Sequence, residues 1–133
     1  MSAPDNLIAN LTAAWAGDLD LLLAQYDPDC TFEDKAFGIA HHGHAGLREV
    51  FGFTFTMMPD FRVSYGNTAL GADAGAAEWT FTGSFHGEFG EKQHTGTPVR
   101  IEGVSFMTFR DGRIATNTDY WNVKSLEQQL GAG

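Results

Sequence analysis

The apolar positions in the first third of the chain recur at helical spacing. Leu7, Ile8, Leu11, Ala14 and Trp15 fall at i, i+1, i+4, i+7 and i+8, the stripe of a helix that Gly17 ends. Asp18 is placed to cap a second, shorter helix carrying Leu19, Leu22, Leu23 and Tyr26, and Pro28 blocks its continuation. A brief extended piece over 31–34 follows, then a loop-like stretch over 37–46 with glycine breaks and three histidines. Leu47, Val50, Phe51, Phe55 and Met58 predict a third helix over about 45–58, stopped by Pro59, although Gly52, Thr54 and Thr56 form helix poorly.

After Pro59 the period switches to two. Phe61, Val63 and Tyr65 alternate with polar residues, 71–75 reads as a turn, and Ala77, Trp79, Phe81 and Phe85 form a second alternating run. A glycine-rich polar stretch over 87–96 interrupts before an extended run over 99–109. Asp111-Gly112 is a strong hairpin signal, the last strand runs over 114–121, and a closing helical piece over 125–130 meets Gly131. Helices first and a strand meander afterwards is an α+β pattern in which the helices cover one face of an antiparallel sheet.

Length and composition narrow this picture. A chain of 133 residues predicts one domain over 1–133, and 43% hydrophobic residues suffice for a core. Eleven Phe and three Trp mean that any cavity is walled by rings. The net charge of −9 has the wrong sign for nucleic acid or an anionic membrane surface, and no apolar run approaches a transmembrane helix. A lone Cys30 fits a reducing compartment, and the N-terminal residues lack a signal-peptide pattern, so the expectation is a cytoplasmic protein.

Several stretches resemble the nuclear transport factor 2-like superfamily, most closely its SnoaL-like polyketide cyclase branch, with ketosteroid isomerase as a more distant cousin. They are Ala16-Gly17-Asp18-Leu19-Asp20, the run from Tyr26 through Pro28-Asp29-Cys30 to Phe32-Glu33-Asp34, and Gly43-His44-Ala45-Gly46-Leu47-Arg48. Pro59-Asp60-Phe61, Glu78-Trp79-Thr80-Phe81-Thr82-Gly83 and Thr95-Gly96 with Pro98-Val99 continue the match. Phe109-Arg110-Asp111-Gly112-Arg113-Ile114 and Thr118-Asp119-Tyr120-Trp121 complete it over nearly the whole chain. The resemblance implies a cone-shaped curved sheet, with N-terminal helices, enclosing a pocket. It also implies a homodimer formed through the outer sheet face. The fold alone does not fix an activity, because it hosts isomerases, cyclases, hydrolases and binders.

Asp119 is the first candidate for chemistry. If Asp111-Gly112 is the hairpin tip, Ala115, Asn117, Asp119 and Trp121 share one face of the last strand, beside Ile101, Gly103, Ser105 and Met107. A carboxylate among such neighbours is desolvated and suited to proton transfer near neutral pH. The resemblance implies the same role, since SnoaL-like cyclases use the aspartate before this aromatic pair as general acid/base. An outward-facing polar residue bonded to backbone is the plain alternative.

Asp34 is the second candidate, at the position where ketosteroid isomerase keeps its base, or else a loop carboxylate near Lys35. That cousin has proline after its aspartate. Its two oxyanion donors would fall near Asn10 and Ser105, which disfavours steroid isomerisation. Asn117 and Ser105 are expected as donors to a developing oxygen charge. Trp15, Phe37, Phe51, Phe55, Trp79 and Trp121 are expected as pocket wall, and His44 as the histidine of the 41–44 group that reaches the ligand.

His41, His42 and His44 lack the spacing of a specific zinc motif, and neither a metal nor another cofactor is expected. His86 and His94 flank the 87–96 stretch, which reads equally as a flap over the pocket or an exposed hairpin extension. The leading expectation is a cofactor-independent enzyme acting on an apolar carbonyl compound. A non-catalytic dimeric binder of hydrophobic small molecules is the second. A hydrolase of the limonene-epoxide type is the third, and Arg48 and Arg100 have no evident place facing Asp119.

Overall fold

The computed structural model describes residues 4–131, and the chain forms a six-stranded curved sheet with its helices gathered over the concave side. Helices α1 (Leu7–Ala14) and α2 (Leu19–Ala24) open the chain, and the Asp18 side chain caps α2 by accepting the Leu21 N–H at 3.0 Å. Strands β1 (Tyr26–Asp34) and β2 (Ile39–His42) follow, then the long helix α3 (Gly43–Met57). β3 (Arg62–Leu70), β4 (Ala74–Phe89), β5 (Lys92–Arg110) and β6 (Arg113–Trp121) make the meander, and α4 (Val123–Gln129) closes the chain.

The strand order is β2-β1-β6-β5-β4-β3. Every pairing is antiparallel except β1 with β6, which is parallel. That parallel pair places Asp34 opposite Asp119 and Phe32 opposite Asn117. The β5–β6 hairpin turns at Asp111-Gly112, with φ of 51° and 76°, as the two-residue turn signal requires.

Four local expectations change. Tyr26 is the buried first residue of β1 rather than the end of the second helix's stripe, and the extended piece at 31–34 is part of a nine-residue strand. Pro28 is accommodated because the β1–β6 ladder is irregular between Tyr26 and Thr31, where its missing N–H breaks no regular bond. Residues 39–42 form a strand on β1, and α3 starts earlier than its apolar stripe indicates, at Gly43 with φ of 66°. Within α3, Thr54 and Thr56 donate their hydroxyls back to the carbonyls of Val50 and Gly52, while Leu47 and Phe51 are fully buried. Tertiary burial overrides the weak local propensity.

The stretch over 87–96 is a paired hairpin, and its Glu88 and Phe89 reach the concave side of the sheet. Gly87 faces His94, Glu88 faces Gln93 and Phe89 faces Lys92 across a tight turn. A Cβ on Gly87, at φ of 125°, would lie 2.8 Å from the Met57 sulfur, so the hairpin leans closely on the end of α3. Two apolar clusters form the core. One, around Leu22, Leu47 and Phe51, ties α1–α3 to the sheet, and the other, around Trp79, Ile101 and Leu130, sits beneath α4. Trp15, Phe55 and Tyr65 pack against both. Among the described residues no helix is long and apolar enough to cross a membrane.

Candidate active site

Between the two clusters the concave face encloses a cavity of about 410 Å³. Trp15, Phe51, Phe61, Trp79, Phe81 and Trp121 supply rings to its wall. Its polar lining is Asp34, Asp119, Asn117, Ser105, Tyr26, Tyr65, Thr54 and Glu88, and no lysine, arginine or histidine among the described residues joins it.

The β6 alternation delivers Asn117 and Asp119 to the same face, and antiparallel pairing sets Ser105 of β5 directly opposite Asp119. Asp119 Oδ1 accepts two hydrogen bonds, from the Ser105 hydroxyl at 2.5 Å and the Asn117 amide at 2.7 Å. Among the described residues no protein donor reaches Oδ2, on a side chain that lines the cavity. Burial pushes the carboxyl up to about 6, and the nearby Asp34 charge adds to this, while the Ser105 and Asn117 bonds pull the other way. Desolvation therefore outweighs two charge-assisted hydrogen bonds. Behind this group, Tyr26 donates its hydroxyl to Asn117 Oδ1 at a long 3.5 Å. Burial, reinforced by the Asp119 charge, raises both the Tyr26 and Tyr65 hydroxyls well above the usual phenol range.

Asp34 lies in the cavity wall with a different task. Its Oδ1 accepts the Ala36 and Phe37 N–H groups at 2.9 and 3.2 Å and the Trp121 indole N–H at 3.1 Å. One carboxylate oxygen thus closes the β1–β2 turn and holds Trp121, whose ring meets Phe37 edge-on at 5.1 Å. Lys35 pairs with Glu33 at 3.0 Å instead of with Asp34.

The structure brings Asp119, Asp34, Asn117, Ser105, Trp15, Phe37, Phe51, Trp79 and Trp121 to one cavity. Three assignments are corrected. Ser105 gives its one hydroxyl proton to Asp119 Oδ1 and so has none for a substrate oxygen, while Asn117 gives Oδ1 one of its two N–H groups. His44 points away from the lining, its Nε2 bonded to the Tyr26 carbonyl at 2.8 Å, where it ties α3 to β1. Phe55 stands behind the wall, 5.7 Å from Trp15 and 6.5 Å from Phe61.

The other two histidines of that group also go elsewhere, His42 to the Thr31 hydroxyl and His41 against Phe32. Asn10 reaches Gln25 at 3.4 Å, outside the cavity lining. Arg48 faces Asp20 and Arg100 faces Glu102, and among the described residues no arginine joins Asp119 in the cavity lining to make an Asp-Arg-Asp set. Sequence reasoning missed Tyr26 and Tyr65. The alternation of Phe61, Val63 and Tyr65 carried a signal for the second; the first was hidden by its fit to a helical stripe.

Comparison with known proteins places this geometry. A family model described as SnoaL-like polyketide cyclase matches residues 7–130. The cyclase aurE of Calcarisporium arbuscula is 26% identical over 106 residues, 79% of this chain and 75% of that protein. The crystal structure of IdmH from Streptomyces antibioticus superposes with a TM-score of 0.80 at 26% identity, covering 96% of this chain and 98% of the other. A protein of ketosteroid isomerase-like fold from Catenulispora acidiphila superposes with a TM-score of 0.82 at 20% identity, covering 98% and 96%. The helix-covered curved sheet is thus the fold of these neighbours, and the chain belongs to the SnoaL-like polyketide cyclase family.

Proposed function

We propose that this chain is a cofactor-independent enzyme that closes or isomerises an apolar, polyketide-like carbonyl compound, with Asp119 as general acid/base. The observation that carries the reading is the Asp119 carboxyl itself, on the wall of an aromatic cavity, held by two donors on Oδ1 with no protein donor on Oδ2 among the described residues, and pushed up by burial to about 6. Oδ2 takes a proton from a carbon flanked by carbonyls, leaving an enolate. In ring closure the enolate carbon then bonds to a second carbonyl carbon of the same molecule. The alkoxide so formed recovers the proton from Asp119, and the carboxylate is restored.

A base with acidity near the working pH suits both halves of this cycle. Tyr65 lines the cavity, feels the Asp119 charge and keeps its proton, so we assign it as donor to the developing oxygen charge. A lining with three carboxylates, and with no cation among the described residues, disfavours a substrate bearing a free carboxylate or phosphate. Phe106 and Tyr120, 47% and 50% exposed on the outer sheet face, support a homodimer, which sedimentation velocity tests directly.

The test works with model compounds in place of the natural substrate. A panel of neutral aromatic β-dicarbonyl compounds is incubated in deuterated water, and exchange at the activated carbon is followed by NMR. Wild-type protein accelerates exchange for at least one compound that it binds, and Asp119→Asn binds the same compound with exchange slowed about 10²–10⁴-fold. Equal exchange by both proteins removes Asp119 from the chemistry. Binding without any exchange by wild type makes the chain a binder of hydrophobic small molecules.

A further inference from the structure

The Ser105–Asp119 hydrogen bond is itself set from behind. Trp79 of β4 donates its indole N–H to Ser105 Oγ at 2.9 Å, and both residues are buried. An indole nitrogen only donates, so Ser105 Oγ accepts from it. The hydroxyl has one proton, and that proton is left for Asp119 Oδ1 at 2.5 Å.

Trp79 reaches Ser105 because its direct partner on β5 is Gly103. The indole lies across the glycine so closely that a Cβ at 103 would fall 2.5 Å from Trp79 Cη2, 2.6 Å from Cζ2 and 2.8 Å from the Tyr120 carbonyl. A larger residue at 103 cannot coexist with this ring position. Ser105 lies two residues along the same strand face, within reach of a long aromatic side chain.

We propose that Trp79 is a positioning residue whose indole N–H, laid over Gly103, commits the Ser105 hydroxyl proton to Asp119 Oδ1 and leaves Oδ2 as the reacting oxygen. Its catalytic meaning rests on the reading of Asp119 as acid/base, but the relay itself is measurable without substrate. The titratable groups facing Asp119 are Asp34 and Tyr26 from β1 and Tyr65 from β3. Among the described residues no cation lines the cavity to compete with them, so the donors on Oδ1 are the main local influence favouring the ionised form.

The experiment follows the Asp119 carboxyl by ¹³C NMR against pH in wild type, Trp79→Phe, Ser105→Ala and the double variant. Phenylalanine keeps a ring beside Phe81, 6.1 Å from Trp79, and removes only the donor and part of the bulk. Trp79→Phe raises the Asp119 midpoint by about 0.5–1 pH unit, Ser105→Ala raises it at least as far, and the double variant goes no higher than Ser105→Ala. An unmoved midpoint in folded Trp79→Phe overturns the relay. So does the same shift persisting in the Ser105→Ala background, since Trp79 would then act by packing alone. If the midpoints move as stated but deuterium exchange ignores Asp119, the relay stands and the proton-transfer reading falls. If exchange depends on Asp119 while Trp79→Phe leaves the midpoint in place, the relay falls and that reading stands.

Discussion

Asp119→Asn stabilises the fold at neutral pH relative to acid pH, because the native carboxyl is ionised there at a cost. In the unfolded chain Asp119 titrates near its ordinary value of 3.8, and in the native protein near 6. Below the lower value both states are protonated and folding feels no penalty from this group. As pH rises through the window the unfolded chain ionises first, and native stability falls until both states are ionised above about 6. The span of about two pH units corresponds to about 3 kcal/mol. Asp119 keeps an oxygen open to the cavity, so we expect about 2–3 kcal/mol.

Asparagine at 119 is isosteric and keeps an acceptor for Ser105 and Asn117, yet does not titrate. The assay is urea unfolding of both proteins from pH 4 to pH 8, read as the difference between the two stabilities so that other titrating groups cancel. That difference moves in favour of the variant by the stated amount between pH 4 and pH 7, then levels off. A flat difference, or one in which the variant loses relative stability as pH rises, refutes a desolvated acid at this position. The expected gain illustrates a site whose chemistry is maintained against the stability of the fold.

Three further substitutions, at Asp34 and His44, separate the roles of these side chains. Asp34→Asn keeps an acceptor for Ala36, Phe37 and Trp121 while removing a negative charge, so the Asp119 midpoint in the NMR titration falls below the wild-type value. Asp34→Ala also loses the turn and costs about 1–2 kcal/mol in urea unfolding. His44→Ala loses the bond to the Tyr26 carbonyl and about 1 kcal/mol of stability, with deuterium exchange unchanged, as expected of a histidine outside the cavity.

The sequence by itself determined the class of fold, the hairpin at Asp111-Gly112 and the shared face of Asn117, Asp119 and Trp121. These are local properties of periodicity and turn chemistry. Ser105 opposite Asp119 is not among them: counted straight from the turn, Val104 would stand there, and the register shift between Thr108 and Phe109 brings Ser105 instead. Only the tertiary structure decided that β1 runs parallel to β6, a pairing of segments far apart in the chain that no local pattern encodes. That pairing lifts Tyr26 out of an apparent helical stripe, sets Asp34 beside Asp119, and withdraws His44 and Asn10 from the pocket.

It was also packing that gave the Ser105 proton to the carboxylate instead of to a ligand. Alternation tells which face a donor occupies, but the direction of its proton depends on what stands behind it. For Ser105 that is an indole from another strand, admitted only because residue 103 has no side chain.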